Sequence, residues 1–252
     1  MAIIKTEALV LRTIPFQDTS CIVKLFTRAQ GKISVIAKGA RRLKSSLRGY
    51  LEPLNYIETI YYYKATRDIQ TLTKVDLLQA LFTNTTDVES SIFGLASLEL
   101  IDRVVHDHQH DAEVFDSVVQ TLKTMDRHSD NCRVLFIHFI ISVADILGYR
   151  FETEYCSRCK NRLSSAIYNS GTGQLVCQSC GSYLSNPYKL TESDLRFLNN
   201  LQQSSPETVI NPVTPPASPD RTIYYMLLAY LAYHIDYPLN LKSLSILSEL
   251  SP

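Results

Sequence analysis

The chain has 252 residues, 45% of them apolar, and equal numbers of Lys/Arg and Asp/Glu, so its formal net charge is zero. No apolar run approaches the ~20 residues a membrane-spanning helix needs; the longest, Val134 to Ala144, is interrupted by His138. The neutral total conceals a division: residues 1–82 carry thirteen bases against six acids, a net +7, and the remainder carries −7, so an anionic partner is expected for the front portion only.

From Ile3 to Leu78 the texture is β. Five segments, Thr6–Ile14, Cys21–Thr27, Gly31–Ala37, Asn55–Tyr63 and Ile69–Leu77, are rich in Val, Ile, Thr, Tyr and Phe. They are bounded by Pro15, Gln17-Asp18, Gln30-Gly31, Pro53 and the Lys64–Asp68 turn, which are breaker signals. Five strands in so short a stretch predict a small barrel. The OB-fold is the commonest nucleic-acid-binding architecture of that strand count, and an SH3-like barrel is the alternative.

After Leu81 the periodicity becomes helical. Phe93, Ala96, Leu100, Ile101 and Val104 share one face of a helix, and Val114, Val118, Leu122 and Met125 share a face of the next. Cys132 to Leu147 is apolar on nearly every side and predicts a buried central helix, closed by Gly148. Further on, Thr191 with Asp194 predicts a capping box and a helix to about Gln203. A connector rich in Pro, Ser and Thr, Ser204–Pro219, follows. Asp220 then opens what reads as the last helix, with a stripe of Met226, Leu227, Tyr230, Leu231 and His234. The expected organisation is a barrel over 1–80, a helical domain over 81–150 and 188–252, and an insertion over 151–187.

That insertion contains Cys156-Ser-Arg-Cys159 and, seventeen residues later, Cys177-Gln-Ser-Cys180-Gly181. Each C-x2-C knuckle turns two thiolates toward one point, and two knuckles at this separation make a tetrahedron of sulfurs, the arrangement of structural zinc. Gly171, Gly173 and Gly181 are expected to supply left-handed turns to the ribbon. Two disulfides would need an oxidising compartment, and the charges at Lys5 and Glu7 are unlike a secretory leader. A redox C-x-x-C would stand alone beside a βαβ unit, and an iron–sulfur cluster fits two symmetric knuckles less well than zinc does. Four thiolates leave no position for a reacting water, so the site is expected to be structural. Cys21 and Cys132, in apolar surroundings, are expected to be reduced core residues of a cytoplasmic protein.

The stretch after the third strand, Ala37-Lys38-Gly39-Ala40-Arg41-Arg42-Leu43-Lys44-Ser45-Ser46-Leu47-Arg48-Gly49, holds five bases and no acid. Small neighbours let a polyanion approach, so Lys38, Arg41, Arg42, Lys44 and Arg48 are the candidate phosphate contacts; a solvated cationic loop is the plain alternative. Tyr56 and Tyr61-Tyr62-Tyr63 are possible stacking platforms, although alternation must send part of the run into the core. His106, His108 and His110 read as a solvated helix end rather than a metal site, and His138 and His234 as hydrogen-bonded core residues. There is no Gly-rich phosphate loop, nucleophile elbow, H-E-x-x-H or paired acidic motif, so the chain reads as a binding protein and not an enzyme.

Taken together these residues resemble the bacterial recombination-mediator family RecO over essentially the full length. Ile4-Lys-Thr-Glu-Ala8-Leu-Val-Leu-Arg12 with Phe16-Gln-Asp-Thr-Ser20 looks like that family's first hairpin. Gly31-Lys32 and Ala37–Arg42 look like its third strand and basic loop, and Leu51-Glu52-Pro53-Leu54 like the approach to its fourth strand. Leu147-Gly148-Tyr149 leading to the four cysteines is similar to its helix-to-zinc passage. The resemblance implies an N-terminal OB-fold, a helical domain and an inserted zinc ribbon in a bacterial, nucleoid-associated protein. It implies binding of single- and double-stranded DNA, annealing of complementary strands, and help in replacing single-strand-binding protein with RecA. The implied partners are RecR and the acidic tail of single-strand-binding protein, which the family's helical domain receives; no short motif marks that surface here. A zinc-containing protein–protein adaptor without a DNA role is the competing reading.

Overall fold

The computed structural model describes residues 2–83, 87–107, 111–185, 187–210, 216 and 220–250. Two compact units divide the chain: Met1–Ser129 with Leu241–Pro252, and Asp130–Asn240.

In the first unit, β1 (Ala2–Phe16), β2 (Ser20–Thr27), β3 (Gly31–Ala37), β4 (Asn55–Tyr63) and β5 (Ile69–Ala80) close a barrel in the order β1-β2-β3-β5-β4. The β3–β5 pairing is parallel, Ser34 to Ile69 and Ile36 to Thr71, and the other pairings are antiparallel. This is the Greek-key order of the OB-fold. Alternation sends Ala8, Val10, Val23, Leu25, Ile33, Val35, Ile57 and Tyr61 into one core. β1 outruns its apolar run at both ends because it pairs twice, its first half with β4 and its second with β2. The ladder bonds hold residues that side-chain preference alone would leave outside.

Helices α1 (Val88–Val104) and α2 (Ala112–Arg127) follow. The Asp87 carboxylate accepts from Glu89 N at 2.9 Å, and that of Asp111 from Glu113 N at 3.0 Å, so both helices start on acidic caps. Phe115 of α2 packs on Phe26 of β2, ring centroids 5.4 Å apart, and the Asp126 carboxylate accepts from Phe82 N at 2.7 Å. The chain returns to this unit in α8 (Lys242–Leu250), which packs on α1; Ser243 N donates to the Glu99 carboxylate at 2.9 Å. The helix opened by Asp220 is therefore not the last. α8 spans nine residues, too few for its spacing to declare itself.

In the second unit α3 (Cys132–Ile146) is buried from Leu135 through Ile141 and packs against α5 (Glu192–Gln202), α6 (Pro206–Val209) and α7 (Asp220–His234). The capping box forms: Thr191 N donates to the Asp194 carboxylate at 2.7 Å and Asp194 N to the Thr191 hydroxyl at 3.3 Å. α6 lies within the stretch that reads as connector; residues 211–215 and 217–219 of that stretch lie outside the described residues. His138 is buried with Nε2 2.9 Å from Ser204 O, the hydrogen-bonded core histidine expected. His234 differs. It is half-buried among Tyr149, Tyr230 and Tyr233, and its Nε2 has no hydrogen-bond partner among the described residues. Cys21 and Cys132 are buried and form no disulfide, as expected of reduced core residues.

Between α3 and α5 lies the ribbon: β6 (Ala166–Asn169), β7 (Gln174–Val176), a single helical turn α4 (Gln178–Gly181) and β8 (Tyr188–Leu190), in sheet order β7-β6-β8. Of its three glycines only Gly173 is left-handed, at φ +62°. Gly181 serves close packing instead, since a Cβ there would sit 2.9 Å from Val176 Cγ2.

Candidate nucleic-acid interface and metal centre

Residues 38–54 join β3 to β4 as a series of tight turns: Arg42 N bonds Gly39 O, Ser45 N bonds Arg42 O, Arg48 N bonds Ser45 O and Tyr50 N bonds Leu47 O. Gly39 and Gly49 hold φ of +72° and +82°, the region where a side chain is strained. Ala40, Leu47 and Leu51 turn inward onto the barrel core, and Thr13 donates to Leu51 O. Asn55 fixes the far end, donating to Gly49 O at 2.7 Å. With Ala40, Leu47 and Leu51 anchored, Lys38, Arg41, Arg42, Lys44 and Arg48 all face solvent, as does Leu43. Arg41 also binds the β1–β2 turn, through Thr19 O at 2.9 Å and Gln17 O at 3.2 Å.

Most other bases of the front portion are already matched. Lys5 meets Glu58 at 2.8 Å, Arg28 meets Asp116 at 2.8 Å and Lys74 meets Asp76 at 2.7 Å. Lys24 lies 2.8 Å from Asp102, and Arg12 3.7 Å. Lys32 is buried at 4% exposure, 3.4 Å from Asp102 and 3.6 Å from Asp107. Burial holds the Lys32 ammonium below its usual pKa, and its neighbour Lys24 adds to that. Burial opposes charge on Asp102 too, but Lys24, Lys32 and Arg12 together hold its carboxyl below the usual range. Among the described residues no carboxylate lies within ion-pair reach of the five loop bases, nor of Lys64 and Arg67 in the β4–β5 turn. The run of thirteen bases thus resolves into two classes that the sequence does not separate.

The tyrosines belong mostly to packing. Tyr61 is fully buried in the barrel core, its phenol pushed up to about 12 by burial, and Tyr63 packs beside it. Tyr56 is buried beneath the ammonium of Lys123, 4.3 Å from the ring centre. Only Tyr62 of the run points away, as alternation requires. His106 is exposed just past the end of α1; His108 and His110 lie outside the described residues.

In the ribbon the four Sγ atoms of Cys156, Cys159, Cys177 and Cys180 lie within 4.8 Å of one another, and Cys159 and Cys177 are 3.8 Å apart. With metal–sulfur bonds of about 2.3 Å, a zinc tetrahedron has edges of about 3.8 Å. None of the six cysteines forms a disulfide. Burial raises the Cys156 thiol, yet backbone N–H groups of Cys159, Cys177 and Arg158 outweigh it and bring it down to about 6. Cys180 is driven the other way, to about 12, chiefly through its hydrogen bond with Cys177. The Cys156 sulfur is thus prepared as thiolate while Cys180 resists a second negative charge, which a cation would relieve. The quartet can hold a metal ion, and among the described residues it is the one such group.

The chain thus joins an OB barrel to a helical region and a four-cysteine ribbon, and comparison with known proteins gives its family. The family model described as Recombination protein O N terminal matches residues 1–81, and Recombination protein O C terminal matches residues 85–244. The chain belongs to the RecO family. It is 34% identical to the DNA repair protein RecO of Salinibacter ruber over 147 residues, 58% of this chain and 56% of the relative. It is 30% identical to that of Chlorobium phaeobacteroides over 69% of this chain and 66% of the relative, and 25% identical to that of Alkaliphilus metalliredigens over 98% and 100%. The first two matches therefore span less than two thirds of those relatives, and the third spans its relative entirely.

Proposed function

We propose that the protein is a non-catalytic DNA-binding mediator of recombinational repair. It binds single- and double-stranded DNA through the loop bearing Lys38, Arg41, Arg42, Lys44 and Arg48, and anneals complementary strands. It assists RecA in loading onto DNA coated with single-strand-binding protein, together with RecR, in the bacterial cytoplasm. The observation that carries this reading is the contrast between the five exposed, unmatched loop bases and the matched bases of and beside the barrel strands, Lys64 and Arg67 of the β4–β5 turn being the other unmatched pair. Contacts to phosphate alone are sequence-indifferent, and shielding two strands at once lowers their mutual repulsion, which is what annealing needs. The quartet Cys156, Cys159, Cys177 and Cys180 holds one structural zinc in this reading, with no coordination position left for chemistry.

The test is fluorescence-anisotropy binding of labelled single-stranded DNA across a salt series, with wild type beside Arg41→Glu/Arg42→Glu. A steep log–log slope in wild type that flattens in the variant supports the reading. Equal weak binding by both, with partner binding intact, would favour the protein adaptor.

A further inference from the structure

The second unit contains a cleft of about 680 Å³ between the first cysteine knuckle and α7. A volume of this order admits a nucleoside with its phosphate. Its floor is aromatic: Phe151 and Tyr230 are buried and meet edge to face at 4.7 Å. Its rim carries Tyr155, 52% exposed and so offering a ring face to a ligand. Arg150, Lys160 and Glu152 stand exposed at the opening. Lys160 holds a left-handed backbone at φ +61°, its N–H bonded to Cys156 O at 2.9 Å. Glycine takes that conformation without strain, and the chain instead places a cation there.

We infer that this cleft is a second contact for single-stranded nucleic acid, seating one or two nucleotides with a base against Tyr155 and phosphates on Arg150 and Lys160. Cations near the knuckles also offset the net negative charge of a metal–tetrathiolate centre, but the rings of the cleft serve no such purpose. Glu152 repels a phosphate and an acidic side chain alike, but its carboxylate can accept from the exocyclic amine of cytosine, adenine or guanine, a donor that acidic side chains lack. The inference rests on the mediator reading and extends it: annealing brings two strands together, and this contact lies in a different unit from the barrel loop.

The experiment is ultraviolet cross-linking of the full-length protein to a 15-nucleotide single strand carrying 5-bromodeoxyuridine, with the linked peptides read by mass spectrometry. Wild type and Arg41→Glu/Arg42→Glu are both expected to yield a peptide linked at Tyr155. The Tyr155-linked yield should fall about fivefold or more in Arg150→Glu/Lys160→Glu, and Tyr155→Ala should weaken anisotropy-measured affinity for the same strand about fivefold, in line with the loss of one stacked base. All three side chains are exposed, so melting should not change. Cross-links confined to residues 38–50, or an undiminished yield in Arg150→Glu/Lys160→Glu, would overturn the second contact and leave the mediator reading standing. An acidic peptide whose binding fails in Arg150→Glu/Lys160→Glu while the oligonucleotide's survives would assign the cleft to protein instead. No oligonucleotide binding by wild type would overturn both readings together.

Discussion

The guanidinium of Arg41 donates to the carbonyl of Gln17 at 3.2 Å, tying the basic loop to the turn between β1 and β2. Arg42 makes no such tie and folds its side chain over Gly39. The two adjacent arginines should therefore separate experimentally. Arg42→Gln is expected to reduce the salt slope of single-strand binding by about 0.7 for one lost phosphate contact and to leave loop protection unchanged. Arg41→Gln should reduce the slope similarly and also speed hydrogen exchange through residues 39–45. Anisotropy and exchange mass spectrometry read the two effects independently.

Asp102 is the shared counter-charge for Lys24 and Lys32, and Lys32 is buried. Asp102→Asn removes that charge and leaves the buried ammonium with the exposed carboxylate of Asp107, 3.6 Å away, as its counter-charge. The expected loss is about 3 kcal/mol, the usual consequence of breaking a buried pair from one side, seen as a lower urea midpoint. Lys5→Ala, which removes an exposed pair with Glu58, should change stability by less than about 1 kcal/mol.

The cysteine quartet predicts one zinc per chain by elemental analysis and an absence of metal in Cys156→Ser. Thiolates and not thiols bind the ion, so acidification should release it. Backbone donors hold Cys156 below the usual thiol range although burial opposes them, so that sulfur meets the ion as a thiolate. Loss of zinc is expected to unfold the ribbon while the barrel retains its single-strand affinity; circular dichroism and the anisotropy assay check the two halves of that statement.

Burial lowers the pKa of His138 from 6.5 in the folded protein. The unfolded chain binds the proton first as pH falls, so this group's contribution is intact above about 6.5 and lost progressively below it. His138→Gln should flatten the stability-versus-pH curve between pH 7.5 and 5.5 by at most about 1.4 kcal/mol per pH unit, the linkage of one proton. Titrating cysteines act equally in both proteins and cancel in the comparison.

Strands were legible wherever side chains alternate between a core and an outer face, as Val23, Leu25, Ile33 and Val35 do, and the capping box at Thr191 was legible because its two partners are close in sequence. The ends of β1 were not, because its length comes from ladder bonds to β4 and β2. Nor was the role of Gly181, which follows from the nearness of Val176 rather than from a turn. Charge counting located the basic loop but could not tell Lys32 from Arg42. That distinction depends on Asp102, seventy residues beyond Lys32 in the chain. Tyr61 and Tyr62 illustrate the same limit, since adjacent identical residues meet opposite surroundings.

Glu99 waits on Ser243 for its hydrogen bond, and about 110 residues of the second unit lie between α2 and α8. A ribosome adds roughly 5–20 residues each second, so an emerging chain keeps the α8-binding face of α1 uncovered for on the order of ten seconds while the second unit is being made. The order of synthesis therefore differs from the order of completion: the unit begun first is finished last. A chain interrupted before residue 241 would leave its mark on the barrel-bearing unit, far from the break in sequence.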